Sequence, residues 1–149
     1  MTWIDEIVAR AKLKNEVSAN LLPRICPLFE ELKETLRADI ERINEAIGSE
    51  VVRFCSVGSH AIGLEGAQGE VMSVACFNDV SLQLEIEISA ADEEVAKHYL
   101  PVSTKLNGSR PFFTEFKKRV SFDRISQLMI QPLVEFSLQL HEFERPDEF

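Results

Sequence analysis

The chain is poor in the residues from which metal centres, disulfide frameworks and flexible linkers are built. Its 149 residues include three cysteines, three histidines, six glycines, six prolines, one tryptophan and one tyrosine. Cys26, Cys55 and Cys76 are odd in number and widely spaced, which argues against a disulfide framework and fits reduced thiols in a cytosol. No hydrophobic run approaches the roughly 18 residues of a membrane-spanning helix. The opening stretch MTWIDEIVARAKLKN carries acids at positions 5 and 6 and no apolar centre, so a secretory signal is not expected and a cytoplasmic location is. Net positive charge is missing as well. Sixteen Lys and Arg stand against 25 Asp and Glu, and a formal charge of −9 would repel nucleic acid and anionic membranes from most of the surface.

What remains is ordinary globular material, 45% hydrophobic and 28% charged. A chain of this length fits one domain and can bury about 70% of the surface its unfolded form exposes. One α+β domain spanning 1–149 is therefore expected, with no cofactor and no metal needed to hold it. The charge is uneven: residues 49–104 hold two basic and nine acidic groups, whereas residues 105–149 hold seven of each. The middle third is acidic, and the last third gathers cations.

The first third has helical spacing. Thr2 and Asp5 resemble a capping box, and Ile4, Ile7, Val8 and Ala11 follow on one face. Asn15 to Asn20 predicts a break. A second, long helix is expected from about Leu22 or Pro27, because Ile25, Leu28, Phe29, Leu32, Leu36, Ile40, Ile43 and Ile47 recur at steps of three and four, with Gly48 as the cap. Such a helix, from about residue 24 to 47, would be roughly 36 Å long. That is enough to lie across a sheet of strands roughly 33 Å long.

The middle third has strand spacing, around Val51 to Val57, Val71 to Phe77 and Val80 to Ser89. In the last of these Val80, Leu82, Leu84, Ile86 and Ile88 alternate with Ser81, Gln83, Glu85, Glu87 and Ser89, the pattern of a sheet covered on one face. Residues 90–98 are compatible with a short helix or a loop. Asn107-Gly108 marks a hairpin between Tyr99–Leu106 and Ser109–Phe116. From Ser121 the helical period returns, with Pro132 expected to kink or divide the last helix. The expected architecture is N-terminal helices, one of them long, then a central antiparallel sheet of about five strands, then a C-terminal helix packed on one sheet face.

Motifs that carry chemistry are weak. The interval GSHAIGLEGAQG lacks phosphate-loop spacing and holds Glu65 and Glu70. Cys55, His60 and Cys76 lack paired zinc spacing, and nothing local assembles a nucleophile from Cys55 or Ser59 with His60 or His98. Glu85 and Glu87 share a polar strand face, which suits solvent better than acid–base work. The most distinctive stretch is Arg110 to Arg124, where Arg110, Lys117, Lys118, Arg119 and Arg124 alternate with Phe112, Phe113, Phe116 and Phe122. Stacking on nucleic acid is disfavoured by the total charge, whereas arginine and aromatics are common anchors for a protein partner.

The sequence thus points first to a non-catalytic, chaperone- or adaptor-like interaction protein, a homodimer or the binder of a protein partner. Its contact residues would be Arg110, Phe113, Lys117, Lys118 and Arg119. The alternative is a small-molecule-binding domain or enzyme with an apolar pocket between helices and sheet, reached by His60, His98 or Tyr99. No membrane is expected as a partner.

Overall fold

Thr2 starts the first helix as its spacing to Asp5 predicts. Its hydroxyl accepts from the Asp5 N–H at 3.3 Å, while the Asp5 carboxylate accepts from the Thr2 N–H at 3.3 Å. The computed structural model describes residues 2–58, 61–91, 93–103 and 111–140. In chain order its elements are α1 (Trp3–Ile47), β1 (Val52–Cys55), β2 (Ala61–Gly66), β3 (Val71–Asn78), β4 (Gln83–Ala90), β5 (Glu93–Ser103), β6 (Phe112–Glu115), β7 (Lys118–Arg119) and α2 (Phe122–Ser137).

The α+β class and the C-terminal helix match the sequence expectation, and several details do not. One helix of 45 residues stands where two were expected. Neither Asn15–Asn20 nor Pro23 and Pro27 interrupt it. Both prolines stand on the exposed side, so the carbonyls four residues upstream, deprived of an N–H donor, can turn to water. Gly48 ends the helix at φ 89°, a conformation that costs glycine little, and its N–H donates to the Asn44 carbonyl at 2.9 Å. Asn44 then ties the helix end to the sheet. Its side chain accepts from the N–H groups of Val51 (2.8 Å) and Val52 (3.3 Å) and donates to the Val52 carbonyl at 2.9 Å.

The strands form one antiparallel meander of seven, ordered β1 to β7, where about five had been expected. β5 is the strand expected from Tyr99, begun six residues earlier at Glu93, so that it takes up most of the 90–98 stretch expected to be helix or loop. One extra strand is β2, inside the glycine-rich interval where none had been expected. The other is the two-residue β7. β4 begins only at Gln83, because Val80 and Leu82 lie in the preceding turn, where the Asn78 carboxamide oxygen accepts from the N–H groups of Val80 and Ser81. The Asn107-Gly108 turn lies outside the described residues, although β5 and β6 do pair antiparallel, Val102 opposite Phe113.

Register places Leu64, Ser73, Ile88 and Ala96 in one row across the sheet, and Ile62, Ala75, Ile86 and His98 in the next. This is the covered face. Both helices lie against it and against each other, burying Leu28, Leu32, Leu36 and Ile40 of α1 and Ile125, Met129 and Leu133 of α2 in one core. Two buried hydroxyls fix the docking of α2. Ser73 on β3 donates to the Met129 carbonyl at 2.6 Å, and Ser126 donates to the Asp39 carboxylate of α1 at 2.6 Å. Pro132 does not divide α2.

Among the described residues, the first half of α1 packs into no layer. Its first buried residue is Leu21, and Trp3, Ile4, Ile7, Val8, Leu13 and Val17 are all exposed. At 1.5 Å per residue, about 27 Å of helix runs past the body of the protein.

Candidate functional site

The segment rich in arginine and phenylalanine becomes the β6–β7 hairpin. Alternation along β6 splits its two phenylalanines. Phe113 turns inward, 1% exposed, and belongs to the core. Phe112 is half-buried on the other side, with the Arg119 guanidinium 5.1 Å from its ring centroid. Thr114 donates to the Pro101 carbonyl at 3.2 Å, and Glu115 pairs with Arg124 at 3.4 Å, so the base of the hairpin is held on both sides.

Its tip is unusual. Glu115 faces Lys118 in register, leaving Phe116 and Lys117 as a two-residue turn with φ 53° and 64°. Positive φ at both central positions is the type I′ geometry, which Asn-Gly adopts easily and a phenylalanine does not. The Phe116 ring is 91% exposed. Beside it stand Lys117, Lys118 and Arg119, all exposed. The short hairpin thus carries an exposed aromatic ring and three exposed cations, in a chain whose net charge is −9.

Of the contact residues expected from sequence, Lys117, Lys118 and Arg119 come together here. Phe113 does not, since it faces the core, and Arg110 lies outside the described residues. Phe116 is the hairpin's fully exposed aromatic, and pairing arithmetic alone could not single it out, because Phe-Lys is no turn signal.

A second feature is a cleft of about 400 Å³ between α1 and one end of β2 and β3. Leu22, Ile25, Phe29, Ile62 and Phe77 form its apolar wall, with Glu30, Lys33 and Asp79 among its polar groups. The pocket residues expected from sequence do not converge on it. His98 is half-buried on the covered face opposite Ile86, Tyr99 is half-exposed on the opposite face against Glu85, and neither lines the cleft. His60 lies outside the described residues. The Lys97 ammonium sits 5.4 Å from the Tyr99 ring centroid, and hydrogen bonding to Tyr99 holds it above its ordinary value.

The remaining described titratable groups are dispersed. Among the described residues no three His, Cys, Asp or Glu side chains are grouped as metal ligands would be. Glu85 stands on the wet face, within 3.4 Å of the Asn78 amide and 3.3 Å of the Gln83 amide. On the same face Arg53 bridges to Glu65 at 2.7 Å and Glu50 at 3.3 Å. Among the described residues no helix is long and apolar enough to cross a membrane. No family model, curated protein or solved structure matches this chain.

Proposed function

We propose that this protein is a non-catalytic interaction domain, chaperone- or adaptor-like, that binds an acidic protein surface through the tip of the β6–β7 hairpin. The observation carrying this reading is Phe116, held fully in water by a turn that suits its residue type poorly and flanked by Lys117, Lys118 and Arg119. Residues held in sparsely populated backbone conformations are enriched at functional sites, and Phe116 joins that conformation to near-complete exposure of its ring. An aromatic anchor beside arginine and lysine is the composition of an interface hot spot, and its charge complements an acidic partner while opposing the rest of its own surface.

The test is a photo-crosslinking phenylalanine analogue placed at position 116 of the full-length protein in cells. Adducts should map to Asp- and Glu-rich surfaces and disappear when Lys117, Lys118 and Arg119 are all changed to Glu. Adducts no more frequent than those from the exposed helix position Gln131 would refute the reading.

A second reading rests on the cleft. Its volume of about 400 Å³ and apolar wall suit a small ligand held between α1 and the sheet. Native mass spectrometry of the purified protein separates the two: a retained small molecule lost on Phe29→Trp would favour the cleft.

A further inference from the structure

From Ile4 to Leu36 the helix α1 repeats by alternating steps of four and three: Ile4, Val8, Ala11, Asn15, Ser18, Leu22, Ile25, Phe29, Leu32 and Leu36. That is the 3.5-residue period of a coiled-coil seam, in one unbroken register. In its second half Ile25, Leu32 and Leu36 are buried against the body of the protein, while Leu22 and Phe29 border the cleft beside α1. Its first half, with Ile7 alongside, meets no other element among the described residues: Val8 is 44% exposed and Trp3 is 72% exposed. The same spacing therefore runs on into residues that no other described element covers.

Charge says what covers the free part. Asp5 and Lys12 are seven residues, or two turns, apart and flank the stripe on the same side. A second arm laid parallel would put the two copies of Asp5, and of Lys12, on opposite flanks of the seam, so that neither could pair with the other. Laid antiparallel, it brings Asp5 within reach of Lys12 of the second copy, and Lys12 within reach of its Asp5. In that arrangement Ile4, Ile7, Val8 and Ala11 interleave with the same four residues in reverse order. The seam turns polar at Asn15 and Ser18, which ends the apolar pairing before the body is reached.

We propose that the overhanging arm of α1, residues 3–14, is a self-association site that pairs two copies of this chain antiparallel through Ile4, Ile7, Val8 and Ala11, in a register set by Asp5 and Lys12. This surface is separate from the hairpin tip and does not depend on it.

The experiment uses the full-length protein. Trp3 is the sole tryptophan, so its fluorescence reports directly on burial of the arm. As concentration rises, sedimentation velocity should show a two-copy species, and the Trp3 emission should shift to the blue in step with it. Val8→Glu, on an exposed face and harmless to the core, should raise the dissociation constant about tenfold or more without loss of helical circular dichroism. Lys12→Glu should weaken pairing severalfold, and Asp5→Lys added to it should restore it. Loss of the Thr2 cap cannot produce that restoration. Photo-adducts from position 116 should be unchanged by Val8→Glu, so failure of either proposal is visible without the other. A wild-type chain that stays single at tens of micromolar overturns the proposal, as does a pair indifferent to Val8→Glu. No rescue by the double charge reversal overturns the antiparallel register. Blue-shifted emission of a single chain on phosphatidylcholine–phosphatidylserine vesicles would assign the stripe to a membrane surface instead.

Discussion

Cys55 shows how much a side chain's surroundings change its chemistry. It lies half-buried on β1 opposite Gly63, whereas Cys26 and Cys76 are exposed. Burial pushes its thiol above the ordinary value, the Glu65 carboxylate adds to this, and Arg53 opposes it. Two consequences follow. The thiolate is the nucleophile, so iodoacetamide at mildly alkaline pH should alkylate Cys26 and Cys76 before Cys55, as peptide mass mapping would show. The second concerns stability, since the unfolded chain loses this proton at a lower pH than the folded one. The contribution of Cys55 is complete below the ordinary thiol range and is lost as pH rises through the raised value. Cys55→Ser should remove that alkaline decline from a plot of melting temperature against pH. A decline unchanged by the substitution would assign it to other groups.

At the level of elements, the two ends of the hairpin connections differ in how well sequence and backbone agree. The Asx turn at Asn78 uses a residue whose side chain suits it, accepting two N–H groups. The turn at Phe116-Lys117 uses two residues that do not. Replacing them by Asn-Gly supplies the residue types that type I′ geometry prefers, and Phe116 contributes no core contact to be lost. The double substitution should therefore stabilise the fold by about 1 kcal/mol. Urea unfolding would measure it, and the same change should abolish partner binding. A protein no more stable after the change would show that the native turn carries no strain. Helix α1 is the opposite case, since its prolines and Asn15–Asn20 argue against continuity and yet it continues. Packing from Leu21 to Ile43 supplies a long nucleus, and extending an existing helix by one residue costs far less than starting one.

For the whole molecule, the decisive joints are few and polar. Pro132 brings no N–H to α2 and crowds the turn before it, and three residues upstream the Met129 carbonyl receives the Ser73 hydroxyl from β3. Ser73 is fully buried, so Ser73→Ala leaves that hydroxyl's work undone in a dry core. A loss of about 1–2 kcal/mol is expected, read as a lower urea midpoint with an unchanged slope. A neutral substitution would mean that α2 is placed by apolar packing alone. The adjacent approach of β2 to the end of α2, Gly66 against Ser137, leaves no room for a side chain there.

Local chemistry by itself determined the class of the fold, the two helix starts at Thr2 and Ser121, the stop at Gly48 and the apolar face of Leu84, Ile86 and Ile88. Each depends on residues within one or two turns or one strand of each other, and such spacings survive translation into structure. Tertiary structure alone decided which greasy stripes would be covered. Ile4, Ile7 and Val8 repeat as regularly as Leu28, Leu32 and Leu36, and only the extent of the sheet leaves the first set in water. It also decided which phenylalanine faces outward, because Phe113 and Phe116 differ in nothing but the strand pairing that places one over the core and the other at a turn. Burial is a property of what lies opposite, and a linear pattern names the face without naming its cover.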